Sequence, residues 1–223
     1  MKRKFRLLTL AAFSFLVFIL TGNNLYSQHQ HGHPPGSVNG YINMLETPDR
    51  ASWQMPEKVA NYLGIKEGDV IADIGAGSGY FTVFLSKKAG NNGKVLACDI
   101  EKGMINYIKE RIKKENLKNV VPVLCKPDDP MLSPSSADLV FICDTYHHIE
   151  KRNEYLKLLK KYSKPEGRIA IIDYQKKETP HGPPLSMRIS KEDIVKEITD
   201  AGYKLEAEFF FLPYQYFMIF IKN

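Results

Sequence analysis

Two short apolar runs, each delivering an acid at a fixed interval, constrain the fold of this chain more than any other feature. The first is Val70-Ile71-Ala72-Asp73-Ile74, which runs directly into Gly75-Ala76-Gly77-Ser78-Gly79-Tyr80. The second is Val95-Leu96-Ala97-Cys98-Asp99-Ile100, whose acid stands twenty positions after Gly79. Runs of this length flanked by glycine read as buried strands. A strand ending in alternating glycines, then a second strand ending in a carboxylate, is how the first half of an open α/β nucleotide-binding sheet is written. Gly75 and Gly77 allow positive φ and a close backbone approach to a ligand. A helix starting near Gly79 directs its free N–H groups at the same place.

The glycine spacing separates two ligand classes. A dinucleotide site uses G-x-G-x-x-G, whereas this chain has G-x-G-x-G with Tyr80 where the third dinucleotide glycine belongs. Asp73 before the turn repels a pyrophosphate and suits a ligand that carries an ammonium group. S-adenosylmethionine is such a ligand, with an α-amino group, a sulfonium and a ribose diol. On these residues the chain resembles the class I S-adenosylmethionine-dependent methyltransferases: Asp73-Ile-Gly-Ala-Gly-Ser-Gly looks like their first motif and Asp99 like their second.

The resemblance covers about residue 48 to the end. It implies an α/β, Rossmann-like, seven-stranded, mostly parallel sheet with one antiparallel edge strand and helices on both faces. The remaining pattern agrees with that expectation. Helical spacing of Ile105, Ile108 and Ile112 marks a helix over 102–115, and its lysines read as a solvated face. Strands are expected at 120–125, 138–143 and 168–174. A helix over 155–162 is expected to stop before Pro165-Glu166-Gly167. Ser190 with Asp193 marks a helix start, that helix ends near Gly202, and two β-rich runs at 204–211 and 214–222 close the sheet. Before the first strand, Trp53 to Leu63 reads as one helix with Pro56 in its first turn.

The resemblance also implies a site. Asp73, Gly75, Ala76, Gly77, Gly79, Asp99 and Ile100 are expected to hold S-adenosyl-L-methionine, with Asp128, or Asp129 in its place, at the adenine amino group. Asp144 in Cys143-Asp144-Thr145-Tyr146-His147-His148 is expected to face the methyl group and the acceptor. His147 and His148 are candidate general bases, because an imidazole titrates near neutrality; for His148 a packing role at a helix start is the alternative. Asp173 has either a part in the site or a cap role. The loop 175–189 reads as a lid, with His181 and Arg188 as substrate-side candidates. Trp53 and the aromatics of 214–217 have a place at the mouth or in ordinary packing. A metal site is not expected.

The first residues carry a different message. Lys2, Arg3, Lys4 and Arg6 precede an apolar run from Leu7 to Leu20, too short for an ordinary span, with a cleavage-like exit at Leu25-Tyr26-Ser27. Residues 1–27 therefore read as a secretory signal peptide, or alternatively as an uncleaved membrane anchor, and imply an exported protein. The chain carries +6; removing those four charges leaves +2, so a nucleic-acid partner is not expected. Residues 28–47, with His29, His31 and His33, read as a flexible linker, and 48–223 as the folded domain. Cys98, Cys125 and Cys143 fall in or at the end of strands and read as small core residues rather than a disulfide framework. The function these readings imply is methyl transfer to a small molecule. A macromolecule methyltransferase of the envelope and a non-catalytic cofactor-binding protein are the alternatives. The sequence does not disclose the acceptor or the oligomeric state.

Overall fold

The structure is a computed structural model and describes residues 37–223. The signal segment and the histidine tract lie outside the described residues. Seven strands form one sheet: β1 Val70–Ile74, β2 Lys94–Asp99, β3 Val120–Leu124, β4 Ala137–Cys143, β5 Ser163–Tyr174, β6 Tyr203–Phe209 and β7 Gln215–Lys222. Their order is β3-β2-β1-β4-β5-β7-β6. Neighbours from β3 through β5 pair in parallel, and β7 runs antiparallel to both β5 and β6. The reversed strand of the closing pair thus lies one place in from the edge.

Among the described residues seven α-helices accompany the sheet: α1 Val38–Leu45, α2 Arg50–Gln54, α3 Pro56–Tyr62, α4 Tyr80–Ala89, α5 Lys102–Glu115, α6 Arg152–Tyr162 and α7 Lys191–Asp200. The inner parallel strands β1 and β4 are buried on both faces, which explains their continuous apolar sequences, whereas the edge strand β3 exposes Val121 and Leu124. Ile71 and Phe141 pack with Val59, Phe81, Leu85 and Ile108 of α3, α4 and α5. Ala72, Ile74, Val140 and Ile142 point the other way, onto Leu156, Leu159, Ile194 and Ile198 of α6 and α7. The chain fills β1, β2 and β3 outward in one direction and then β4 and β5 in the other. The crevice at the carboxyl ends of β1 and β4 is the switch point where such sheets bind ligands.

Several boundaries differ from expectation. The stretch read as linker contains α1, capped by Ser37, whose Oγ accepts from the Gly40 N–H at 3.2 Å. The expected helix at 53–63 is two helices. Pro56 disfavours helical geometry at the residue before it, so Met55 takes φ +45° and α3 starts afresh with Pro56 at its head. Trp53 therefore belongs to α2. The Pro165-Glu166-Gly167 stop lies inside β5, where the register with β4 slips between Ala137 and Leu139; a bulge accommodates the proline that a regular ladder would reject. The Ser190 start is observed, with Ser190 Oγ accepting from the Asp193 N–H. All three cysteines are free thiols, Cys98 and Cys143 buried in the two core layers.

Candidate active site

The glycine turn is stitched to β2. Gly75 and Ala76 donate their N–H groups to the Cys98 carbonyl at 2.8 and 2.9 Å, and the Gly77 N–H donates to Asp99 Oδ2 at 2.8 Å. Asp99 Oδ1 accepts from the Glu101 N–H. The second strand's acid is thus fixed by backbone donors from both sides. Gly75 sits at φ +71°, and a Cβ there would lie 2.2 Å from Thr145 Oγ1. The turn after β1 and the loop after β4 touch at this point, leaving no room for a side chain.

Asp73 is buried just before the turn. It is 3% exposed and accepts from Thr82 Oγ1 of α4 at 2.6 Å. Burial pushes its carboxyl up to about 7; the Thr82 hydrogen bond opposes that shift and the nearby Asp99 charge adds to it. Asp144 follows β4 with φ +52°, an unusual conformation for a non-glycine residue. Its Oδ2 accepts from Gln54 Nε2 at 2.8 Å and its Oδ1 from Gln215 Nε2 at 2.6 Å. Burial, then the charge of Asp173, raises the Asp144 carboxyl to about 6.

One cation stands among these acids. The Arg50 guanidinium is buried, lies 4.2 Å over the Tyr80 ring and donates to Gln54 Oε1 and to the Leu45 carbonyl. Its charge opposes the upward shifts of both Asp73 and Asp144. Tyr41 of α1 lies near enough to Asp99 and Asp144 that, after burial, both charges raise its phenol. The first helix therefore covers the crevice. Glu46, at its end, pairs with Arg111 of α5 at 2.7 Å through two parallel bonds and accepts from Ser78 of the turn.

The two histidines separate clearly. His147 has a side chain only 3% exposed; its Nδ1 lies 2.8 Å from Asp173 Oδ1 and its backbone N–H donates to Asp173 Oδ2. Burial alone would lower the imidazole, but the hydrogen bond and charge of Asp173, with the charge of Asp144, raise it above its ordinary value. Asp173 is thereby an orienting partner and not a simple cap. His148 is exposed, with its ring centroid 4.1 Å from that of His147. Asp128 stands exposed on the turn after β3, while Asp129 Oδ1 accepts from the Met131 N–H and the Tyr162 hydroxyl. The Asp129 alternative is taken up by that turn. Ile100 is 38% exposed beside Asp99.

Arg188, read as a substrate-side residue, ties together the loop 175–189. It is 5% exposed and donates to the carbonyls of Pro183, Gln175, Lys177 and His181 and to Thr179 Oγ1. His181 does reach the mouth, stacked on Trp53 with centroids 4.8 Å apart. Among the described residues no cluster of three or more potential metal ligands occurs.

Asp73 of β1, Asp99 of β2 and Asp144 just after β4 thus gather around the glycine turn, with Arg50 beside them and Arg111 donating to the Ser78 carbonyl of the turn. A methyltransferase domain model matches residues 65–205, well over half of the chain. The chain belongs to the methyltransferase domain family. The crystal structure of a SAM-dependent methyltransferase from Aquifex aeolicus superposes with a TM-score of 0.80 at 31% identity, covering 84% of this chain and 100% of that one. A demethylmenaquinone methyltransferase of Lactobacillus johnsonii is 26% identical over 62% of this chain and 56% of its own. A tRNA (guanine(37)-N(1))-methyltransferase of Pyrococcus abyssi is 41% identical over 30% of this chain and 20% of its own. The chain spans about half the length or less of these curated relatives. Sequence reasoning named Asp73, Asp99, Asp144, His147 and Asp173 but missed Arg50, Gln54, Gln215, Tyr41 and the Glu46–Arg111 pair.

Proposed function

We propose that the protein binds S-adenosyl-L-methionine and transfers its methyl group to a small-molecule acceptor. The observation that carries this reading is the convergence of Asp73, Asp99 and Asp144 on a turn where Gly75 tolerates no Cβ. A group of buried acids that outnumbers the Arg50 charge beside it favours a ligand bearing positive charge. The residues therefore fit this cofactor. Asp99 would hold its ribose, Asp73 and the Gly75–Gly79 turn its amino-acid end, and Ile100 and Asp128 its adenine. When bound, the cofactor supplies a methyl group already activated by a sulfonium.

The chain's own work is then orientation and proton handling. Asp144, fixed between two glutamine amides, faces the acceptor and can hold a hydroxyl or amine in line. Such alignment contributes on the order of 7–11 kcal/mol to a displacement of this kind. His147, pinned at Nδ1 by Asp173, takes up a proton at Nε2. The helix α1 and the lid exclude water. A non-catalytic binding protein has no need of an imidazole oriented by a buried carboxylate, and the His147–Asp173 pair favours the catalyst. The basic and apolar leader further supports placing the protein outside the cytoplasm, held by an uncleaved anchor if the leader is retained.

Calorimetry tests the reading. S-adenosylmethionine and S-adenosylhomocysteine should bind saturably, at about micromolar level for the former, while NAD and NADP should not. A pyrophosphate close to these acids meets a repulsion of a few kcal/mol at the effective dielectric of a protein surface. Binding of NAD without binding of the sulfonium compound overturns the reading.

A further inference from the structure

The mouth of the crevice is walled by aromatic rings. Trp53 of α2 lies 6.2 Å from Tyr174 at the end of β5 and 6.0 Å from Tyr214 just before β7, centroid to centroid. Into this box the lid inserts a flat ring of its own: the His181 imidazole lies on Trp53 at an interplanar angle of 13° and 5.8 Å from Tyr214. On the outer side His181 Nε2 is 3.7 Å from Asp49 Oδ2, where the two side chains are 36% and 57% exposed. One face of Trp53 is therefore covered by a planar ring that is itself partly exposed on the side of Asp49.

Beside Tyr214 in the chain stands an unanswered polar atom. Gln215, 1% exposed, is paired in register with Tyr174 and donates Nε2 to Asp144. A carboxylate only accepts, so the amide orientation follows from chemistry, and Gln215 Oε1 faces away from it, buried and without a partner. Trp53 Nε1 is likewise buried without a partner. Native structures seldom leave such atoms unpaired, because each costs about 1–3 kcal/mol of desolvation. A ligand that brings a donor to Gln215 Oε1 removes that cost beside the Asp144 carboxylate.

We infer that the methyl acceptor is a flat aromatic or heteroaromatic molecule bearing a hydroxyl or amine, its ring seated on Trp53 in the place of His181 and its donor on Gln215 Oε1. The inference rests on the methyltransferase reading and names the acceptor class for the same site. It accounts for a lid whose imidazole is stacked rather than clamped, whereas Arg188 ties the rest of that loop down. A saturated ring would lose the stacking, and an aromatic ether would leave the Gln215 oxygen unpaired. Aromatic contacts of this type contribute about 0.5–1.5 kcal/mol beyond area.

The test uses the full chain saturated with S-adenosylhomocysteine and three matched probe sets, read by calorimetry. Each set contains a flat donor, its ring-saturated counterpart and its methyl ether: phenol, cyclohexanol and anisole; 1-naphthol, decahydro-1-naphthol and 1-methoxynaphthalene; 5-hydroxyquinoline, its decahydro form and 5-methoxyquinoline. In at least one set the flat donor should bind at least tenfold more tightly than both counterparts. Trp53→Leu should abolish that preference while S-adenosylhomocysteine still binds within about threefold of wild type. His181→Ala should bind the flat donor at least as tightly as wild type. No preference in any set, or loss of flat-donor binding in His181→Ala, overturns the inference. Failure of S-adenosylhomocysteine itself to bind instead overturns the methyltransferase reading, so the two failures are distinct.

Discussion

Two amides grip the Asp144 carboxylate, yet burial still lifts it to about 6, and Asp73 beneath the glycine turn to about 7. Both acids lose their protons as pH rises through those values, so the crevice gains negative charge between pH 5 and 8. Affinity for the cationic S-adenosylmethionine should rise across that window, by roughly tenfold for about 1.4 kcal/mol of added attraction. The neutral thioether of S-adenosylhomocysteine should show a shallower rise. Calorimetry at pH 5.5 and 8 reads the difference, and equal slopes would show that the acids do not feel the sulfonium. His147 offers a second measurement. Burial is its largest single influence and points downward; Asp173 reverses the sign. In Asp173→Asn the imidazole should titrate below its ordinary value, by NMR of the ring protons, and methyl transfer should fall because Nδ1 loses its fixed partner. These residue roles were legible unevenly. Asp73 and Asp99 stand in a local pattern, whereas nothing near Asp173 in sequence announces that it orients a histidine 26 positions away.

At the scale of elements, the glycine turn and the first helix are the parts that shape the cofactor crevice. Gly75→Ala combines a φ of +71° with a Cβ 2.2 Å from Thr145 Oγ1, so strain of about 1–3 kcal/mol falls on the turn. Thermal unfolding should report that loss, cofactor affinity should fall with it, and Thr145→Ala should restore part of both. Over the turn, α1 is held by Glu46, which Arg111 grips with two hydrogen bonds. Glu46→Gln should speed hydrogen exchange in 38–45 while leaving the core strands protected, since α1 is attached by its end and few buried residues. Uniform exchange across the domain would contradict that arrangement. The elements themselves were largely readable, because parallel strands buried on both faces print continuous apolar runs. The misreadings have local causes. A short helix such as α1, with one fully buried residue, gives little periodicity, and a proline can open a second helix as readily as it can sit in the first turn of one. The bulge in β5 turned an apparent stop signal into strand.

For the whole molecule, the raised pKa values of Asp73, Asp144 and His147 carry one common consequence. Each group holds more protons when folded than when unfolded, so stability conferred through the two carboxylates declines as pH rises from about 4 to about 7, and that through His147 declines upward from its ordinary value near 6.5. The ligand-free melting temperature should fall over that range, and S-adenosylmethionine should offset the fall by supplying positive charge to the ionised acids. Cell fractionation addresses placement: the protein should be found outside the cytoplasm, shortened near residue 27 or held in the membrane if the leader stays. A full-length protein in the cytosol with Met1 intact would reject export. What sequence could not disclose at this scale was the meeting of distant parts. Gln54 and Gln215 lie 90 and 71 positions from the aspartate they share, and only the sheet order brings them together. That order has a consequence in time. β7 follows β6 in the chain but lies between β6 and β5, so a growing polypeptide that has already made its glycine turn, its acids and its histidine still has a gap in the sheet and no amide at 215. During synthesis Asp144 therefore gains its second amide partner only when β7 has entered the sheet.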